Sequence, residues 1–224
     1  MEALRAGQRR FLTPAGEETD MIFLRKVDLP NFALFTAVLD AGKRAQLRAM
    51  QLDYLGVAAA HQLGFIAATP TWRAARTHVE AMGLDFDQVV PQVAKGAGEL
   101  LDELSALHAK HGLPLVRACD IGPAADGYKV EQRLTAQQAA DLHFATIEAC
   151  RQGARVELVQ ALTMTYPDEA AGVALAAQRA GLPASISFTV ETDGRLPDGT
   201  PLKDAIQIVC ASTTIITKKK KRYE

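Results

Sequence analysis

The polar residues of this chain that could do chemistry gather where short apolar runs end. Thr69-Pro70-Thr71-Trp72-Arg73 follows Phe65 to Ala68, and Thr163-Met164-Thr165-Tyr166 leaves the run Val156 to Leu162. Asp120-Ile121-Gly122-Pro123 follows Leu115 to Cys119, and Ser187 and Thr189 belong to the run Ala184 to Val190. An acidic cluster, Glu17-Glu18-Thr19-Asp20, precedes the apolar Met21-Ile22-Phe23-Leu24. Hydroxyls, carboxylates and a tryptophan beside an arginine can line a pocket for a small polar molecule. The expected lining is Thr19, Thr71, Gly122, Thr163 and Ser187, which end strands or begin loops on one face. The plainer reading gives each of them a turn or cap role, Gly122 above all. The acidic cluster has a plainer reading too: carboxylates suit a helix N-terminus, so a solvated helix start is expected there. Trp72 is likewise expected to pack, with its indole N–H bonded locally.

Other reactive side chains point less clearly to a site. His108 and His111 have a spacing that can hold a metal, but no acid or cysteine joins them, and a cation suits a helix C-terminus anyway. Cys119, Cys150 and Cys210 are odd in number and form no CxxC pair, which favours a reducing cytoplasm over a disulfide framework. No self-contained zinc site is indicated. Lys129 and Lys203 stand near the loops at strand exits, yet neither ends an apolar strand where burial would make a Schiff-base nucleophile of it.

The elements that must position these residues alternate. Strands are expected at Phe11 to Thr13, Phe65 to Ala68, Leu115 to Cys119, Val156 to Leu162 and Ala184 to Val190, the last read as buried. Between them lie amphipathic helices at Ala41 to Gln62, Val89 to Leu107, Thr135 to Gln152 and Pro167 to Gly181. Thr200 and Pro201 cap one more, after the turns Asp193-Gly194 and Pro197-Asp198-Gly199. Short apolar strands alternating with helices mean a parallel α/β sheet. No GxGxxG or GxxxxGK[ST] is present, and threonines at strand exits suit a barrel mouth, so a (β/α)8 TIM-barrel type is expected.

Composition excludes some classes. With 224 residues, 48% hydrophobic and 23% charged, the chain can bury a substantial core. A net charge of -1 gives no global pull toward nucleic acid or a membrane. No run reaches the ~18 apolar residues of a membrane span. MEALRAGQRR has no apolar segment of a secretory signal behind its basic residues, so a cytoplasmic protein is expected.

The strand exits resemble those of the homocysteine S-methyltransferase family. The resemblance runs from about Phe11 to Ile208 and rests on motifs in order. These are Glu18-Thr19-Asp20, Thr69-Pro70-Thr71-Trp72-Arg73-Ala74, Ile121-Gly122-Pro123, Ala161 to Tyr166 with Glu169-Ala170, and Ser187-Phe188-Thr189-Val190 with Asp198 to Leu202. It implies a barrel that moves a methyl group from a sulfonium or ammonium donor to the thiol of homocysteine, in methionine metabolism. A thiol of pKa about 8.5 is mostly protonated at neutral pH, and zinc can hold it as the thiolate. Zinc is therefore the cofactor the resemblance implies, with homocysteine and the methyl donor as small-molecule partners. The resemblance further implies that acidic residues after the early strands help to hold the amino acid.

The chain also departs from that pattern. The family's strand one usually ends in Asp-Gly-Gly, matched here by Pro14-Ala15-Gly16, and its acidic residue after strand four is matched by Leu162. The family's zinc cysteines, in an Asn-Cys motif after strand six and a Gly-Gly-Cys-Cys motif after strand eight, have no counterpart, so these metal ligands are not present. The expectation is an incomplete barrel of about five to six βα units. Residues 1–208 would be barrel and 209–224 a divergent tail with the basic run Lys218 to Arg222. A truncated or frame-shifted product is the expected origin of that tail. A non-catalytic fragment is the alternative to a methyltransferase, and a Schiff-base lyase or aldolase ranks third. An open sheet edge should favour instability, cover by the tail, or self-association.

Overall fold

The apolar runs form parallel strands joined by helices, in a computed structural model that describes residues 1–7 and 9–212. The strands are β1 (Phe11–Leu12), β2 (Gly64–Ala68), β3 (Leu115–Ile121), β4 (Leu158–Met164) and β5 (Ala184–Phe188). They pair in the order β1-β2-β3-β4-β5, every pair parallel. Each strand lies beside its sequence neighbour, with no reversal of order of the kind that marks a doubly wound layer. The result is a curled half-barrel, the incomplete α/β barrel expected from the sequence.

The helices are α1 (Glu2–Arg5), α2 (Glu17–Thr19), α3 (Thr36–Leu39), α4 (Ala41–Ala60), α5 (Arg76–Ala81), α6 (Phe86–Ala109), α7 (Ala136–Gly153), α8 (Pro167–Arg179) and α9 (Leu202–Ser212). A π-helical turn, Asp20–Leu24, continues α2, and a tighter turn follows at Pro30–Phe32. Local chemistry sets the main starts. Asp40 accepts from the Lys43 N–H at the start of α4, and Thr135 with Gln138 makes a capping box for α7. α6 buries the stripe Val90, Val93, Ala97, Leu100, Leu101 and Leu104, spaced by threes and fours.

Alternation along the strands gives the sheet two faces. Phe65, Ala67, Cys119, Ile121, Val159 and Ala161 point outward into the core shared with the helices. Ile66, Ala68, Val116, Ala118 and Leu158 point inward, where Phe11, Met1 and α1's Leu4 complete a smaller cluster. Farther along the inner face the residues turn polar: Gln160 donates toward Thr13 Oγ1 at 3.5 Å, and Asp120 lies beyond Ala118.

Several boundaries differ from the sequence reading. β3 runs on to Ile121, so Asp120 belongs to the strand and not to its loop. β4 is shifted to Leu158–Met164, with an irregular register between Ala161 and Met164 where Thr163 takes φ 55. α6 begins at Phe86, because Asp85 caps it by accepting from the Asp87 N–H. The strand expected to be buried, β5, is largely exposed, since among the described residues it pairs with β4 alone. The basic run Lys218 to Arg222 lies outside the described residues.

Candidate functional site

A cleft of about 440 Å³ opens at the carboxyl ends of β1 to β4. Its first wall is acidic. Gly16, at φ 62, turns the chain so that α2 starts with Glu17 pointing into the protein. Glu17 is only 6% exposed, and Gln51 of α4 donates its amide to Oε1. Burial, then the nearby Asp120, Glu18 and Asp20, push the Glu17 carboxyl well above its ordinary range. The solvated helix start expected here is therefore corrected: the helix start is real, but its first carboxylate is inside.

Glu18 is also raised by burial, opposed by its own backbone N–H and by Arg73. Asp120, on the inner face of β3, is 7% exposed. Burial first, and then Glu18, hold its carboxyl well above the usual value. No group among the described residues donates to its Oδ1.

The second wall comes from the exits of β2 and β4. The Trp72 carbonyl accepts from the Gly122 N–H at 3.0 Å, and its indole N–H donates to Thr163 Oγ1 at 3.1 Å. That indole bond spans 91 positions, so the local partner expected for it is corrected. The Arg73 guanidinium stacks 5.2 Å from the Trp72 ring, and its buried Nε has no protein acceptor among the described residues. Asp126 accepts from the Tyr128 and Lys129 N–H groups, a turn that sets Gly127 and Tyr128 at the rim.

The five expected site residues take three different positions. Thr19 and Thr163 line the cleft. Thr71 and Gly122 lie behind it: the Thr71 hydroxyl donates to the Asp120 carbonyl at 2.7 Å, and a Cβ on Gly122 would fall 2.5 Å from the Trp72 carbonyl oxygen. Ser187 is exposed on the inner face of β5, apart from the cleft lining. The residues undervalued from the sequence are Glu17, Glu18, Arg73 and Asp120. An aspartate two residues beyond an inward alanine was the available signal, and its burial was not.

Below the loops sits a satisfied network. Glu169 of α8 accepts from the Ala124 N–H at 2.6 Å and lies 3.0 Å from His143 Nε2 of α7, both side chains buried. Tyr166 accepts from the Leu134 N–H at 2.9 Å, and burial pushes its phenol up to about 12. The connection from β3 to α7 is thus tied at Ala124 and Leu134.

The donors for a metal do not converge. Cys119 faces the helix layer, where Cys150 of α7 is also buried, its Sγ 3.8 Å from Thr69 Oγ1. Cys210 is exposed on α9, and His108 packs on Phe65 with its Nε2 3.2 Å from the Leu63 carbonyl. Among the described residues no three His, Cys, Asp or Glu side chains are placed to hold an ion, so this set does not fit a zinc centre.

A sequential parallel half-barrel with a charged cleft at the strand ends defines a barrel-type protein, with that cleft where barrels of this kind carry their sites. The family is more specific: the homocysteine S-methyltransferase model matches residues 18–217, and the chain belongs to that family. Its fold is similar to that of the homocysteine methyltransferase MmuM from Escherichia coli. The metallated form gives a TM-score of 0.72 at 20% identity, covering 96% of this chain and 75% of that one. The oxidized form gives 0.71 at 22% identity, covering 92% and 70%. At these identities the likeness speaks for the fold. No curated protein sequence matches the chain. No helix among the described residues is long and apolar enough to cross a membrane.

Proposed function

We propose that the chain binds homocysteine in this cleft and serves methyl transfer to its thiol from a sulfonium or related donor, within cytoplasmic methionine biosynthesis. The observation that carries the reading is a cleft with both charge signs, at the strand ends of a chain whose family match begins at Glu18. An amino acid is a zwitterion. Its carboxylate suits the Arg73 guanidinium, a planar fork whose Nε has no protein acceptor among the described residues. Its ammonium suits the acidic wall of Glu17, Glu18 and Asp120. Held at both ends, the thiol is left to point toward the open mouth, where a donor can approach. In the family, zinc supplies thiolate formation; the residues of this chain hold and orient the amino acid.

The positions of the three cysteines favour a second reading, in which the chain holds the amino acid but does not itself activate the thiol. One pair of measurements separates the two. Homocysteine binding by calorimetry is expected in both, whereas methionine formed from homocysteine and S-methylmethionine, with stoichiometric zinc in the protein, supports catalysis. Neither binding nor methionine would sink both readings. In either case residues 1–208 act as the barrel portion.

A further inference from the structure

Among the carboxylates of the cleft, Asp120 accepts from the Ile121 backbone N–H but keeps one oxygen, Oδ1, without a donor among the described residues. We propose that Asp120 is the anchor for the ligand's ammonium group, and that β3 supplies the counter-charge which the ends of β1 and β4 do not. The proposal rests on the reading of the cleft as an amino acid site.

Pro14 after β1 and Leu162 on β4 both line the cleft and carry no charge. Glu17 is occupied by the Gln51 amide, and Glu18 is compensated by Arg73. Asp120 remains. Its backbone is fixed on both sides, because Thr71 donates to its carbonyl at 2.7 Å and its N–H donates to Thr69 Oγ1 at 3.3 Å. The carboxyl therefore stays on the inner face, more than nine-tenths buried, with Oδ1 lacking a donor among the described residues. A buried carboxylate oxygen without a donor is costly to the fold, and a ligand that brings one offsets that cost. A primary ammonium fits: it is compact, charged and carries three N–H donors. The other charged or titratable groups that act on Asp120 are Glu17 and Glu18 of α2, Cys119 of β3 and Cys150 of α7. None of them donates to its Oδ1.

The test compares homocysteine, its thiol-free analogue 2-aminobutanoate and its ammonium-free analogue 4-sulfanylbutanoate on wild type and Asp120→Asn. Losing one charged hydrogen bond should weaken homocysteine and 2-aminobutanoate by roughly 10- to 100-fold in the variant. Binding of 4-sulfanylbutanoate should be equal in both proteins, and the variant should melt higher than wild type. Equal affinity of wild type and variant for 2-aminobutanoate would overturn the proposal. In the wild-type protein, the carbon-13 signal of the Asp120 carboxyl should shift with 2-aminobutanoate and stay still with 4-sulfanylbutanoate; an unmoved signal with both also overturns it. If the amino acids bind through Asp120 but no methionine is ever formed, the anchor stands and the methyl-transfer reading falls. If methionine is formed and Asp120→Asn leaves the KM for homocysteine unchanged, the reverse holds.

Discussion

Thr163 is a β-branched residue at φ 55, a region such residues rarely occupy. What holds it there is visible: it accepts from the Trp72 indole at 3.1 Å and donates to the Leu162 carbonyl at 2.7 Å. Trp72→Phe removes the first bond, and a loss of about 1 kcal/mol in urea unfolding is expected. Gly122→Ala should cost more, about 1–3 kcal/mol, because the new methyl meets the Trp72 carbonyl and the two loops must part. An unchanged urea midpoint in either variant would mean that this wall is not set by those contacts. The acidic wall makes a pH prediction. Glu17, Glu18 and Asp120 have folded pKa values raised above their unfolded ones, so the native state binds more protons across that window. Stability then falls as pH rises from the ordinary carboxylate range near about 4, by at most about 1.4 kcal/mol per pH unit for each group. On the acid side the opposite groups act: Arg151 and then Gln152 hold Glu148 at about 2, so its contribution is lost as pH falls through that value. Melting temperatures from pH 5 to pH 8 should decline in wild type and decline less in Asp120→Asn. A flat wild-type profile would count against the buried acids.

At the scale of elements, the connection from β3 to α7 carries Asp126, Gly127 and Tyr128 to the rim of the cleft. It is held at Ala124 by Glu169, at Leu134 by Tyr166, and at the Gly127 carbonyl by the Thr189 hydroxyl at 2.7 Å. Glu169→Ala leaves the buried His143 Nε2 and the Ala124 N–H without their hydrogen-bond partner, which should cost about 1–3 kcal/mol. Hydrogen exchange across residues 124–134 should speed up in that variant, and less so in Glu169→Gln, which keeps an acceptor for the Ala124 N–H. Exchange rates that do not differ between the two variants would leave the network without a positioning role. Strand and helix order was legible in the sequence because it follows from short-range patterns: apolar runs between turn formers, and Thr135 and Asp40 as caps. Asp120 was not, because aspartate before Ile-Gly-Pro reads as a turn, while pairing with Gln160 of β4 keeps it in the strand. Glu17 was misread because dipole logic knows nothing of Gln51, which is 34 positions away. The exposure of β5 was equally hidden, since an apolar run does not say whether a further strand lies beside it.

For the whole molecule, the edge at β5 is the feature with the largest consequence. The Val159 N–H bonds the Pro183 carbonyl and the Thr189 N–H bonds the Met164 carbonyl, so the odd-numbered residues of β5 face β4. The backbone groups of Ala184, Ile186 and Phe188 therefore face away from the sheet, a row that invites another strand. Apolar surface lies on the segments after that strand: Val190 is 41% exposed, Ile206 of α9 48% and Ile208 40%. Such a row can be satisfied by water, but apolar surface on neighbouring segments favours protein as the partner. The chain should self-associate through this face, with an apparent mass that rises with concentration in light scattering. Ser185→Lys places a charge on the exposed side of β5, where natural edges carry lysine to prevent pairing, and should return the protein to monomer without a loss of melting temperature. Wild type that stays monomeric at every concentration would show that the edge is already satisfied within one chain. A variant that associates as wild type does would move the contact to another face.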